Sequence, residues 1–214
     1  MKRPRIQDIV SMAVGVILIS MAFLSPEILE HNVRITIICG LICFIPFIIR
    51  CTGAFTIPLF LNVLIVVSAF FHAFGLAINI YAMGGFYDTI THTLSSMTVS
   101  ICIFMVLACF QHYAGDAVNI SGRGLALFTA LLGMTFSVYW EVIEYCSDMI
   151  TGSVTQYSPY DTLTDLVCDF LGNIIASVFF GIYMSRRSPK DLVESFEIHP
   201  KIKFLAFTDR TGKE

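Results

Sequence analysis

The 214-residue chain is 56% apolar and 14% charged, with a net charge of −3 and a mean hydropathy of +0.78. A soluble globular protein carries charge on about a quarter of its residues, so this composition excludes that class and indicates an integral membrane protein. The seven cysteines lie mostly in apolar runs and lack the spacing of a disulfide or zinc framework, and nothing indicates a nucleic-acid partner.

Six apolar runs divide the chain. Each is close to the ~20 residues that an α-helix needs to cross ~30 Å of hydrocarbon. We predict spans at about 8–25, 33–50, 55–80, 88–113, 124–147 and 160–184. The predicted fold class is therefore an all-α polytopic bundle, with a six-helix transmembrane domain at 1–184 and a polar cytoplasmic tail at 185–214.

The orientation follows from the basic residues, which concentrate on the cytoplasmic side of membrane proteins. With six spans and an inside N-terminus, twelve of the 13 Lys and Arg residues fall on the inside and Arg34 alone on the outside. Both termini are therefore predicted to be cytoplasmic, in a multi-pass protein of the plasma or inner membrane.

Acidic residues recur in the last three spans. Asp88 and His92 are four residues apart at the start of the fourth span, and Glu141 and Glu144 are three apart in the fifth, so each pair shares one helix face. The sixth span carries a stripe of three acids at every fourth position: Asp161, Asp165 and Asp169.

The predicted topology brings these groups to one depth. All three spans present them at the end predicted to lie outside, and a polar face turned to lipid would be costly. We therefore expect the fourth, fifth and sixth spans to enclose one site in the outer leaflet. No Lys or Arg lies on the same side except Arg34.

Some of these residues have structural explanations. Ser158-Pro159-Tyr160-Asp161 fits a helix-capping box, and Asp88 could be an N-cap. Asp148 is predicted to be a solvated residue of the outer loop. His72, on the third span, is expected to be a satisfied core histidine, as a lone histidine on an apolar face usually is.

Two explanations remain open for the carboxylates inside the helices. Some could be protonated within a neutral hydrogen-bonded network, or a bound or transported cation could balance their charge. Carboxylates with histidine suit Zn²⁺, Mn²⁺, Mg²⁺ or Fe, and a divalent ion is the expected cofactor. The candidate metal ligands are Asp88, His92, Glu141, Glu144, Asp161, Asp165 and Asp169.

Three motifs carry a family resemblance: Tyr87-Asp88-x3-His92, Tyr139-Trp140-Glu141-x2-Glu144-Tyr145, and Asp161-Thr162-x2-Asp165-x3-Asp169-x2-Gly172. Over residues 60–184 the chain resembles the YjdF-like family of small prokaryotic inner-membrane proteins, and more distantly the VanZ-like proteins. The resemblance implies a multi-helix membrane protein with these polar residues as a shared signature, and it implies no particular activity. Asp169 stands where that pattern often has an apolar residue or Asn.

Three functions fit the sequence. The first is a metal-dependent hydrolase or transferase that acts on a lipid-linked substrate at the outer leaflet, with Glu141, Glu144 and Asp165 as catalytic residues. The second is a cation- or proton-coupled transporter, for which no inverted repeat is visible. The third is a structural or accessory protein whose acids only order the bundle. Membrane lipid is the partner common to all three, and the sequence indicates no oligomeric state.

Overall fold

The structure is a computed structural model, which describes residues 4–24, 33–78, 80–83, 85–115, 118–152, 155–156, 158–186 and 189–200. Its helices are α1 Ile6–Leu24, α2 Val33–Ile42, α3 Ile45–Thr52, α4 Leu59–Ala77, α5 Phe86–Ala114, α6 Gly122–Thr151, α7 Pro159–Arg186 and α8 Pro189–Glu194, with a 3-10 turn at Ile80–Met83. No β-strand occurs in these ranges. Six segments are long and apolar enough to cross a membrane, which confirms the prediction of an all-α polytopic bundle.

The second span is not one continuous helix. It consists of α2 and α3, which are separated by a turn at Cys43 and Phe44. Pro46 lies in the first turn of α3 and has no N–H to donate to the carbonyl of Ile42, so the helix breaks before it. The sequence prediction of an unbroken helix at 33–50 was wrong in this respect.

The helices form two groups of three spans. In the first group α1, α2 and α4 pack against one another, and α3 contacts α1. In the second group α5, α6 and α7 pack against one another, and α4 joins the two groups by packing on α5. The three spans that carry the acidic motifs therefore form one packing unit.

Two glycines set the spacing within the second group. A Cβ on Gly172 of α7 would collide with the Ser96 hydroxyl and the Thr93 carbonyl of α5, and a Cβ on Gly133 of α6 would lie 2.6 Å from Asn173 Oδ1. The three helix backbones consequently approach more closely than side chains would allow.

Part of the predicted polar tail packs on the bundle. Leu192, Val193 and Phe196 are buried in the same apolar cluster as residues of α5 and α7. The main-chain N–H of Thr56 donates to the Phe196 carbonyl at 2.6 Å, and that of His199 donates to Ala54 at 2.8 Å. Residues 201–214 and Arg187 lie outside the described residues, so the proposed boundary at 185 stays a prediction.

Candidate metal centre

His92 is the central side chain of the acidic region. Its Nδ1 atom lies 3.3 Å from Asp169 Oδ1, and its Nε2 atom lies 3.6 Å from Asp88 Oδ1 and 3.9 Å from Asp165 Oδ1. Both ring nitrogens thus face carboxylates. The contacts join α5 to α7, because Asp88 and His92 belong to α5 while Asp165 and Asp169 belong to α7.

Two sets of three side chains have the geometry to hold an ion. The first is Asp88, His92 and Asp165, and the second is His92, Glu141 and Asp169. In each set, one potential ligand atom from each residue lies within 4.8 Å of the other two. The second set draws on all three helices of the second group.

Only one of the two carboxylate oxygens of Glu141 accepts a hydrogen bond. The residue is 5% exposed. Its Oε2 atom accepts a hydrogen bond from Gln156 Nε2 at 3.1 Å, whereas its Oε1 atom is buried and accepts none. Leaving a buried polar atom without a partner costs about 1–3 kcal/mol, and more for a charged group. Oε1 is therefore the atom in this region that most requires a cation or a donor.

The histidine distances can be compared with those of hydrogen bonding and of shared coordination. A hydrogen bond from nitrogen to oxygen spans about 2.7–3.2 Å, so the two Nε2 distances of 3.6 and 3.9 Å are too long. Ligand atoms about 2.1 Å from a common ion lie on the order of 3–3.5 Å apart. The Nδ1 distance of 3.3 Å falls within that second range, and both Nε2 distances exceed it.

Within the part of the chain that the structure describes, no Lys or Arg lies within ion-pair distance of these acids. Arg34, the one basic residue predicted to lie outside, is exposed on α2, which packs on α1 and α4 rather than on the second group. His92 could supply one positive charge, against the four carboxylates of Asp88, Glu141, Asp165 and Asp169.

A neutral network lies one helical turn below Asp169. The Ser100 hydroxyl donates to Asn173 Oδ1 at 2.6 Å, and Asn173 Nδ2 donates to Ser137 Oγ at 3.2 Å. All three residues are buried, and each comes from a different helix of the second group. Sequence reasoning overlooked Asn173, although it continues the every-fourth-residue stripe of α7.

Asp148 is not the solvated loop residue that the sequence predicted. The fifth span continues to Thr151, so Asp148 belongs to α6, and Gly152 caps the helix in the left-handed region at φ 71°. The Asp148 carboxylate accepts bonds from the main-chain N–H groups of Thr155 and Gln156 and from the Thr155 hydroxyl, at 2.6–2.9 Å. A partly buried carboxylate thus organises the residues that follow α6.

Asp88 is not an N-cap either, because α5 begins at Phe86 and Gly85 caps it. The predicted cap at Ser158 is confirmed: its hydroxyl accepts the Asp161 N–H at 3.2 Å. His72 is satisfied, since Tyr81 OH lies 3.0 Å from its Nδ1.

Two predicted ligands lie outside both sets. Asp161 and Glu144 are partly buried, and neither joins a three-residue set. Glu144 lies one turn from Glu141, nearer the C-terminal end of α6. Their assignment as ligands stays a prediction. Tyr157, an aromatic residue of the segment between α6 and α7, lies outside the described residues.

Comparisons with known proteins place the chain in a family. A family model described as "Predicted membrane protein (DUF2238)" matches residues 7–186, which confirms the resemblance to a family of small membrane proteins. An uncharacterized protein of Thermotoga maritima is 30% identical over 107 residues, which is 49% of this chain and 53% of the relative. The match thus spans about half the length of that relative. No solved structure matches the chain.

Proposed function

We propose that this chain, which belongs to the DUF2238 family of predicted membrane proteins, binds a divalent metal ion between its last three spans and uses it in a hydrolase or transferase reaction. One observation carries the proposal. Glu141 belongs to a possible ligand set with His92 and Asp169, and its Oε1 atom is buried and accepts no hydrogen bond. A buried carboxylate oxygen in that position is stabilised by a cation.

The ligand atoms that these residues offer limit which metal ions could bind. Carboxylate oxygens with one imidazole nitrogen suit Zn²⁺, Mn²⁺, Mg²⁺ or Fe. Glu141, Asp169 and His92 would hold the ion on one side of the imidazole, or Asp88, Asp165 and His92 on the other. The nitrogen that does not bind metal would donate its proton to the opposite carboxylate, an arrangement that fixes the ring of a ligating histidine.

A metal ion bound by these residues would lower the pKa of a bound water molecule or polarise a phosphoryl or carbonyl oxygen. Side chains of the protein would transfer the proton and orient the ligands. Glu144 belongs to neither ligand set and lies nearer the outer end of α6, so it is suited to accept and return a proton. Asp165 would orient His92 or ligate directly.

Access from one side supports an enzyme over a transporter. Below the Asn173 network the second group packs with apolar residues, among them Phe104, Leu125 and Phe180. The sequence places no acid, His, Lys or Arg in α5, α6 or α7 between that level and His112, Arg123 and Arg186 at the inner ends. An ion crossing the membrane would have no ligands there, whereas a lipid-linked substrate could reach the site from the outer leaflet.

Metal analysis tests the proposal. The protein is purified in detergent without chelator, and its metal content is measured by mass spectrometry beside the variants Glu141→Gln and His92→Ala. We expect about one ion per chain in the wild type and a loss of most of it in both variants. A Thr151→Val variant, which changes an exposed residue at the same end of α6 and removes a bond to the Ser147 carbonyl, is the control. Wild-type protein that neither retains an ion nor binds added Zn²⁺ or Mn²⁺ would rule the proposal out.

A further inference from the structure

We infer that Gln156 is a positioning residue for Glu141: its amide holds one carboxylate oxygen and leaves the other for the cation. The inference rests on the proposed metal site. Gln156 Nε2 donates to Glu141 Oε2 at 3.1 Å and to the main-chain carbonyl of Glu141 at 3.0 Å. One amide group therefore bridges the backbone and the side chain of the same residue.

That bridge determines which oxygen is available. A free glutamate side chain samples several rotamers, and ordering it has an entropic cost. Because the Gln156 amide binds both Oε2 and the main-chain carbonyl of Glu141, it fixes the orientation of the carboxylate before any ion binds. Oε1 is then the oxygen without a hydrogen bond.

Gln156 is itself held by Asp148, which belongs to α6 as Glu141 does. Asp148 lies seven residues after Glu141, two turns along one face of α6. Its Oδ2 atom accepts the main-chain N–H of Gln156 at 2.9 Å, and both of its oxygens accept the N–H of Thr155. These bonds place the Gln156 main chain where its amide can reach back to Glu141.

Asp148 and Glu141 of α6 thus have separate roles. Both oxygens of Asp148 accept bonds from the residues after the helix, and Glu141 keeps one buried oxygen without a hydrogen bond. Residues that only orient a ligand commonly contribute 10–100-fold to metal affinity. Gln156 should therefore affect metal binding although its amide contributes no ligand atom.

The test is a double-mutant cycle on metal affinity. Gln156→Met keeps the length of the side chain and removes both donors. Binding of Zn²⁺ or Mn²⁺ is measured by calorimetry in detergent for the wild type, Gln156→Met, Glu141→Gln and the double variant. Thermal unfolding without metal is followed in parallel. Thr155→Val, which removes only the hydroxyl bond to Asp148, is the matched control.

We expect Gln156→Met to weaken binding by about tenfold or more, with an unchanged unfolding temperature, while Thr155→Val stays near wild type. In the Glu141→Gln background, Gln156→Met should add nothing, because its effect passes through Glu141. Equal losses in both backgrounds, or an affinity within twofold of wild type, would overturn the inference while leaving the metal site intact. Wild-type protein that binds no metal would instead overturn the proposed function together with the inference.

Discussion

In the first group of helices a buried acid has an Arg partner, whereas in the second group, among the described residues, buried acids gather around a histidine without a Lys or Arg. Asp8 of α1 and Arg50 of α3 form an ion pair at 2.5 Å near the ends predicted to lie inside, and both side chains are almost fully buried. In the second group, Asp88, Glu141, Asp165 and Asp169 surround His92.

The difference separates two uses of buried charge. The Asp8 carboxylate also accepts the main-chain N–H of Arg5 at 2.6 Å, so its charge is compensated within the protein and its contacts tie α1 to α3. The acids around His92 have no such compensation from Lys or Arg among the described residues. Because an uncompensated buried charge is costly, this difference is the basis of the proposed cation site.

The largest effect is expected from Arg50→Met. Removing the guanidinium leaves Asp8 buried without its basic partner, which costs about 3–5 kcal/mol. Chemical unfolding in detergent measures the loss. The double variant Asp8→Leu/Arg50→Met, which removes both charges, should recover most of the stability. A single variant as stable as wild type would show that the pair does not hold the first group together.

Gly172→Ala should cost less, about 1–3 kcal/mol, since the new methyl group forces α5 and α7 apart. The same shift should separate His92 from Asp165 and Asp169 and weaken metal binding. Unfolding and metal titration are compared with those of Gly85→Ala, because Gly85 has a φ of −65° and a Cβ there meets no atom. Unchanged binding in Gly172→Ala would mean that helix spacing does not define the site.

A still smaller change is predicted for Arg5→Ala. Arg5 Nη2 and Glu197 Oε1 form a pair at 2.8 Å, but both side chains are nearly half exposed. Exposed pairs contribute about 0–1 kcal/mol, so the unfolding midpoint should hardly move. A large loss would indicate that the Glu197 segment depends on this pair and not on its buried apolar residues.

The smallest effect on stability is expected from Glu141→Gln without metal. The amide keeps the shape of the side chain and removes a charge that no Lys or Arg balances, so the free energy of unfolding should not fall. With saturating metal, the wild type should gain stability and the variant should not. Destabilisation of the metal-free variant would mean that the charge of Glu141, like that of Asp8, stabilises the fold itself.

Much of the fold could be predicted from the sequence, because span length and hydropathy are local properties. The convergence of His92 with the acids of α7 was also accessible, since topology and the rise per residue give depth. The Asp8–Arg50 pair was not, because the two residues are 42 positions apart and each alone resembles an ordinary charge at a membrane boundary.

The contacts after α6 were also beyond sequence reasoning. A polar residue such as Gln156 gives no signal in a loop, and its contact with Glu141 depends on where α6 ends. That end was predicted four residues too early, at 147 rather than Thr151. Asp148 was therefore interpreted as solvated, and the main-chain donors that surround it could not be anticipated.

The most direct test of the central claim is an experimental structure of the protein with Mn²⁺ or Zn²⁺, with anomalous scattering recorded at the metal edge. The account predicts one anomalous peak bonded to a nitrogen of His92 and to carboxylate oxygens of its neighbours, Glu141 and Asp169 or Asp88 and Asp165. It would be contradicted by the absence of a peak at saturating metal, with Glu141 Oε1 bonded to a protein donor or to another carboxyl group.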